Sequence, residues 1–180
     1  MPRLNHPADL EVWRTQIKSS HDPSQSVITV CCGTGCASAG AQGVVQELQA
    51  ESEKDGSKVK VKATGCHGFC ERGPLVVLYP SKTFYTHVKP QHAAEIFGAL
   101  ESNTVIQNLL YVDPQTQQPV TREDKVQFYH KQQRIVLAKN GLVDPRNIDD
   151  YIVYGGYQGL TQALTQLSPV EVIELIKKSG

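Results

Sequence analysis

Two short-spaced cysteine pairs constrain this chain more than any other feature: Cys31-x4-Cys36 and Cys66-x3-Cys70, with 29 residues between them. Each pair directly follows a short β-type run, residues 26–30 before the first and the alternating residues 58–63 before the second. Loops at the ends of neighbouring strands can bring four sulfurs together, and four close thiolates repel one another unless a cation holds them. Four thiolates hold a [2Fe-2S] cluster or Zn²⁺. Gly33 and Gly35 in the first loop, and Gly65 and Gly68 at the second, let the backbone wrap closely and turn amide N–H groups toward sulfur. Structural zinc favours C-x2-C knuckles, which neither pair matches. The spacing therefore favours iron and sulfide, with zinc the open alternative.

Other chemistries fit less well. A thioredoxin-type dithiol needs C-x-x-C ahead of a helix, and no such pair occurs. The vicinal Cys31-Cys32 pair could close only as a strained disulfide. Cys32 reads as a small loop-filling side chain, or as the ligand in place of Cys31. His67 reads as a solvent-facing or supporting group, with a mixed His/Cys centre the other option. Phe69, between two cysteines, reads as packing that shields the centre. Arg72 reads as a surface charge or a docking contact.

The surrounding pattern is α/β. Leu10, Trp13 and Ile17 recur at helical spacing, predicting a helix over 8–19 that "HDPSQ" ends. A strand leads into the first cysteines, Val44, Val45 and Leu48 mark a helix over 41–53, "KDGSK" turns, and a second strand leads to Cys66. "GPLVVLYP" and "TFYTHV" predict a hairpin, and Pro90 opens a helix through Leu100. The order β-α-β, β-β-α suits a four-stranded sheet flanked by helices, the thioredoxin-like arrangement, and fits other α/β layers too. Gln, Asn and Pro enrichment predicts a linker over 106–120. The expected division is a lead-in over 1–25, a cluster domain over 26–105, the linker, and a mixed segment over 121–180. That last segment reads as a helix or turn near 121–129, a strand-like "QRIVLAKNG", a turn, and two helical segments ending with 169–178.

Charge excludes some partners. Lys+Arg and Asp+Glu both number 18, so nothing advertises nucleic acid. The N-terminus carries proline and charge where a signal peptide has its apolar segment. No run approaches the roughly 18 apolar residues of a membrane span. The expected compartment is the cytoplasm, where thiols stay reduced and a cysteine cluster points to metal or catalysis.

Three stretches, "VCCGTGCASAG", "ATGCHGFCERGPLVVLYP" and "RIVLAKNGLVDPRNIDDYIVYGGYQGLTQALTQLSPVEVIELIKKSG", together resemble the start of a flavoprotein subunit family. Bacterial respiratory complex I, NAD(P)-linked [FeFe]-hydrogenases and NAD-linked formate dehydrogenases share that family. The resemblance implies a thioredoxin-like [2Fe-2S] domain with ligands at Cys31, Cys36, Cys66 and Cys70, then the lead-in to a flavin domain. It implies one-electron transfer within a complex of redox subunits. In the family, the stretch matching "KKSG" runs on into a Gly/Arg-rich FMN and NADH loop and later [4Fe-4S] cysteines. FMN and [4Fe-4S] are thus expected only with such a region. Gly155, Gly156 and Gly159 lack the spacing and preceding strand of a phosphate-cradling loop, so this chain is expected to carry electrons without turnover. The rival reading is a structural or zinc-binding module docking onto a larger oxidoreductase subunit, and self-pairing into a homodimer is a further expectation.

Overall fold

The computed structural model describes residues 4–20, 22, 24–54 and 59–180. Residues 21 and 23 of the "HDPSQ" stop and residues 55–58 of the "KDGSK" turn, the last of them also the first residue of the expected second strand, lie outside them. The chain divides into two compact units, residues 23–145 and residues 1–22 with 146–180.

The larger unit is built on a sheet of order β2-β1-β3-β4. Strand β1 (Val27–Cys31) runs parallel to β2 (Lys60–Thr64) and antiparallel to β3 (Val76–Tyr79), which pairs antiparallel with β4 (Thr83–Tyr85). This is the expected thioredoxin-like arrangement. Residues 28–31 of central β1 are buried continuously rather than in alternation, so both faces of the strand are covered. The register places Thr29, Val77 and Phe84 on one face and Val30, Val76 and Tyr85 on the other. Between the parallel strands run α2 (Thr34–Ser38) and α3 (Ala41–Lys54), the latter burying Ala41, Val44, Val45 and Leu48. The expected helix after Pro90 is a 3-10 turn, Pro90–His92, continuing into α4 (Ala93–Glu101), which buries Ile96 and Phe97 and packs against α3.

In place of a linker, residues 106–120 join this core. Ile106, Leu109, Leu110 and Tyr111 are buried. The reason is the free edge of β4. An edge strand left bare presents unpaired amides and carbonyls. Here Thr86 N–H donates to Leu109 O and Phe84 N–H to Thr121 O, each at 2.8 Å, while Glu123 N–H donates to Lys82 O. A two-residue hairpin, β5 (Tyr111–Val112) and β6 (Pro119–Val120), connects the two covering segments. Beyond it, α5 (Gln127–His130) supplies Phe128 and Tyr129, whose rings meet Phe69, and Tyr129 also meets Phe84. The strand-like reading of "QRIVLAKNG" is corrected: these residues form successive turns, with Ile135 79% and Val136 90% exposed. β-branched residues extend only where a partner strand is available, and the β4 edge is already covered.

The smaller unit pairs α1 (Pro7–Ser19) with α6 (Ile148–Val153). Leu10, Trp13 and Ile152 form its core. Arg14, also buried, donates through Nε to Ile152 O at 2.8 Å and through Nη2 to Gly156 O at 3.2 Å. Helix α7 (Gln158–Gln166) and α8 (Pro169–Ser179) complete it, the latter opened by a reciprocal Ser168–Glu171 cap. Three helices thus stand where two were expected. Leu160, Leu164, Val170, Ile173 and Ile176 remain exposed on α7 and α8.

Candidate metal centre

Parallel pairing of β1 with β2 sets Cys31 opposite Thr64, so the loops leaving both strands emerge at one end of the sheet. Cys31 N–H donates to Leu75 O and Cys32 N–H to Thr64 O, which fixes where the first loop begins. Successive residues at a strand end face opposite sides, so Cys31 and Cys32 cannot both face the second loop. The Cys31 sulfur is the one in hydrogen-bond contact with Cys36, and the Cys32 side chain packs against the core cluster.

The loops interlock through glycines. A Cβ placed at Gly33 would lie 2.6 Å from Cys66 Cβ, and one at Gly35 would lie 2.9 Å from Cys70 Cβ. A Cβ at Gly73 would lie 2.5 Å from Cys36 Sγ. Absence of side chains at these positions is what lets all four cysteines approach. Cys66 and Cys70 bring their sulfurs to 3.9 Å, and Gly68, at positive φ, turns its N–H to Cys66 Sγ at 3.3 Å. Cys31 and Cys36 are buried and Cys70 is exposed.

Electrostatics follow from this packing. The Cys36 thiol donates toward Cys31 and, joined by the N–H groups of His67 and Gly33, brings the Cys31 thiol down to about 5. The same hydrogen bond, with burial, pushes Cys36 up, and burial pushes Cys66 up. In the absence of a cation the site thus resists holding several thiolates at once. Among the described residues no three His, Cys, Asp or Glu side chains are grouped as they would be around one metal ion. The sulfurs stand as two pairs, and two thiolate pairs joined by a glycine-lined cradle fit a binuclear iron-sulfur group.

His67 is buried, not solvent-facing, with Nδ1 3.1 Å from Glu123 Oε1 and Nε2 3.3 Å from Thr64 Oγ1. Both ring nitrogens are engaged away from the sulfurs. Phe69 is a packing residue, stacked on Phe128 at 4.4 Å. Arg72 lies over the Tyr111 ring and beside Glu71. Sequence reasoning missed Glu123 and Arg134, whose Nη1 donates to His67 O at 3.3 Å. Both stand more than fifty positions from the cysteine loop, and no spacing signal reaches that far.

Comparison with known proteins bears on this site. Residues 16–101 match the thioredoxin-like [2Fe-2S] ferredoxin family. The NADP-reducing hydrogenase subunit HndC of Solidesulfovibrio fructosivorans is 50% identical over 50 residues, 28% of this chain and 10% of that protein. The 2Fe-2S ferredoxins of Clostridium pasteurianum and Aquifex aeolicus are 39% and 34% identical over 29% and 34% of this chain. Those matches span 53% and 58% of the two ferredoxins. The crystallised thioredoxin-like [2Fe-2S] ferredoxin of Aquifex aeolicus aligns with TM-score 0.45 and 27% identity, over 47% of this chain and 88% of that one.

Proposed function

We propose, from the premise that residues 16–101 are a thioredoxin-like [2Fe-2S] ferredoxin domain, that Cys31, Cys36, Cys66 and Cys70 hold its cluster and that the chain relays single electrons inside a larger redox complex. The observation that carries this reading is the interlock of Gly33 with Cys66 and Gly35 with Cys70, which joins two thiol pairs into one four-sulfur cradle. When bound, a [2Fe-2S] group supplies a reversible one-electron couple. The chain's own residues do the rest. Buried Cys31 and Cys36 anchor the inner side, while the exposed Cys70 side is where a partner approaches. The N–H groups of Gly68, His67 and Gly33 point at sulfur and favour its anionic form.

The partner class is other subunits of an NAD(P)-linked hydrogenase or dehydrogenase. Support comes from the likeness to the NADP-reducing hydrogenase subunit and from the exposed apolar residues of α7 and α8, a surface of the kind that marks interaction sites. No residue of this chain is assigned to FMN, NAD(P)H or a [4Fe-4S] cluster. Among the described residues no helix is long and apolar enough to cross a membrane. The cytoplasm is the compartment we propose, because a cysteine cluster read as metal ligands suits surroundings that keep thiols reduced.

Anaerobic reductive titration followed by electron paramagnetic resonance tests the reading. The loaded chain is expected to take up one electron per cluster, bleach in the visible and develop the signal of a single unpaired spin. A chain holding zinc accepts no electron and shows neither change, and that outcome would leave the structural docking module as the function.

A further inference from the structure

We infer that Glu123, Phe128 and Arg134, all beyond the family-matched residues 16–101, form a clasp on the second cysteine loop and act as positioning residues for Cys66 and Cys70. The inference rests on the proposed ligation by these cysteines.

Alternate residues of the loop carry the argument. Cys66, Gly68 and Cys70 are partly or fully exposed, whereas His67 and Phe69 between them are buried. Each residue of the inward series is gripped from the segment 111–141. Phe69 is stacked on Phe128 at 4.4 Å and 9°, with the edges of Tyr111 and Tyr129 closing around it at 5.3 and 5.8 Å. The His67 ring is held by Glu123 Oε1 at 3.1 Å, and the other carboxylate oxygen accepts from Tyr79 Oη at 3.4 Å. Its carbonyl accepts from Arg134, whose guanidinium is itself seated 4.6 Å above the Tyr129 ring. The backbone at Gly141 lies flush on the imidazole, where a Cβ would come 2.8 Å from Cε1. Asn140 closes on Gly65, at 3.2 Å from a Cβ placed there.

This grip reaches the sulfurs. Cys66 and Cys70 flank His67 and Phe69 in the chain, so fixing the inward residues fixes the outward ones. The N–H of His67 also points to Cys31, which makes the clasped residue a link between the two loops. Covering the β4 edge requires only residues 109–123. Phe128 and Arg134 reach past that edge to the loop.

The test uses the full chain loaded with its cluster, reading the rate of iron release to a chelator and the midpoint potential. Phe128→Ala is expected to speed release about 10–100-fold, the range typical of losing support around metal ligands, and Phe128→Tyr to restore the slow rate. Glu123→Gln keeps an acceptor for His67 but removes a carboxylate charge, so it is expected to raise the potential, because reduction adds negative charge nearby. Leu48→Ala in α3 removes buried apolar contact elsewhere and is expected to leave both readings near wild type below its unfolding temperature. Wild-type release rates in Phe128→Ala, or equal acceleration in Leu48→Ala, would overturn the clasp. If Phe128→Ala does not fold, an unchanged potential in Glu123→Gln overturns it alone. Failure of the wild-type chain to load a cluster defeats instead the reading on which the clasp rests.

Discussion

Replacing Cys36 with alanine is expected to leave the reconstituted chain without stable visible colour, and so are the same changes at Cys31, Cys66 and Cys70, whereas Cys32→Ala keeps the wild-type spectrum. The effect is large because the other candidate donors are engaged elsewhere: the Cys32 side chain packs against the core, and His67 has both ring nitrogens committed to Glu123 and Thr64. Loss of colour reports ligation rather than unfolding. Removing one buried sulfur costs about 1 kcal/mol of packing, small beside a typical domain stability of about 5–15 kcal/mol. Far-ultraviolet circular dichroism of each variant checks this directly. Colour lost in Cys32→Ala but kept in Cys31→Ala would move the first loop's register by one residue.

Gly33→Ala is expected to be nearly as damaging without touching a sulfur. At φ −59 and ψ 160 the backbone of Gly33 suits any residue, so the cost is purely steric. The added methyl would sit 2.6 Å from Cys66 Cβ and 2.9 Å from its Cα, and a backbone atom cannot swing aside. The two loops must part, which destabilises the apo chain by about 1–3 kcal/mol and withdraws Cys66 from the other thiols. Gly98→Ala makes the contrast. Gly98 lies within α4 with nothing within 4 Å of an added Cβ, and the change is expected to stabilise by about 0.5–1 kcal/mol through helix propensity. Urea unfolding of the apo chains, with visible absorbance after reconstitution, measures both halves. Equal stability and equal colour in Gly33→Ala and wild type would show that the loops do not interlock.

What could be read from sequence followed from local periodicity and local spacing. Val44, Val45 and Leu48 repeat at helical intervals, and α3 buries that face. "GPLVVLYP" and "TFYTHV" form the antiparallel pair their composition suggests. The two cysteine spacings, each behind a strand, pointed to four thiols that the parallel pairing of β1 and β2 brings to one sheet end. What could not be read depends on partners distant in the chain. Leu109, Leu110 and Tyr111 sit among Gln, Asn and Pro with neither strand nor helix period, yet they are buried because β4 offers an open edge. Ile135 and Val136 look like a strand and are exposed turns, and the β4 edge beside the preceding segment is already taken by residues 109–123. Arg14 carries no signal in the helical pattern of Leu10, Trp13 and Ile17, because its two carbonyl partners lie more than 130 residues away. The support for His67 and Phe69 was hidden for the same reason, since Glu123, Phe128 and Arg134 carry no motif of their own.

The central claim is that two thiol pairs on interlocked loops hold one [2Fe-2S] cluster, and quantifying iron, zinc and acid-labile sulfide in anaerobically purified chain tests it most directly. Two irons and two sulfides per chain, in a protein coloured in the visible, is the predicted result. One zinc per chain with no sulfide and no colour would contradict it.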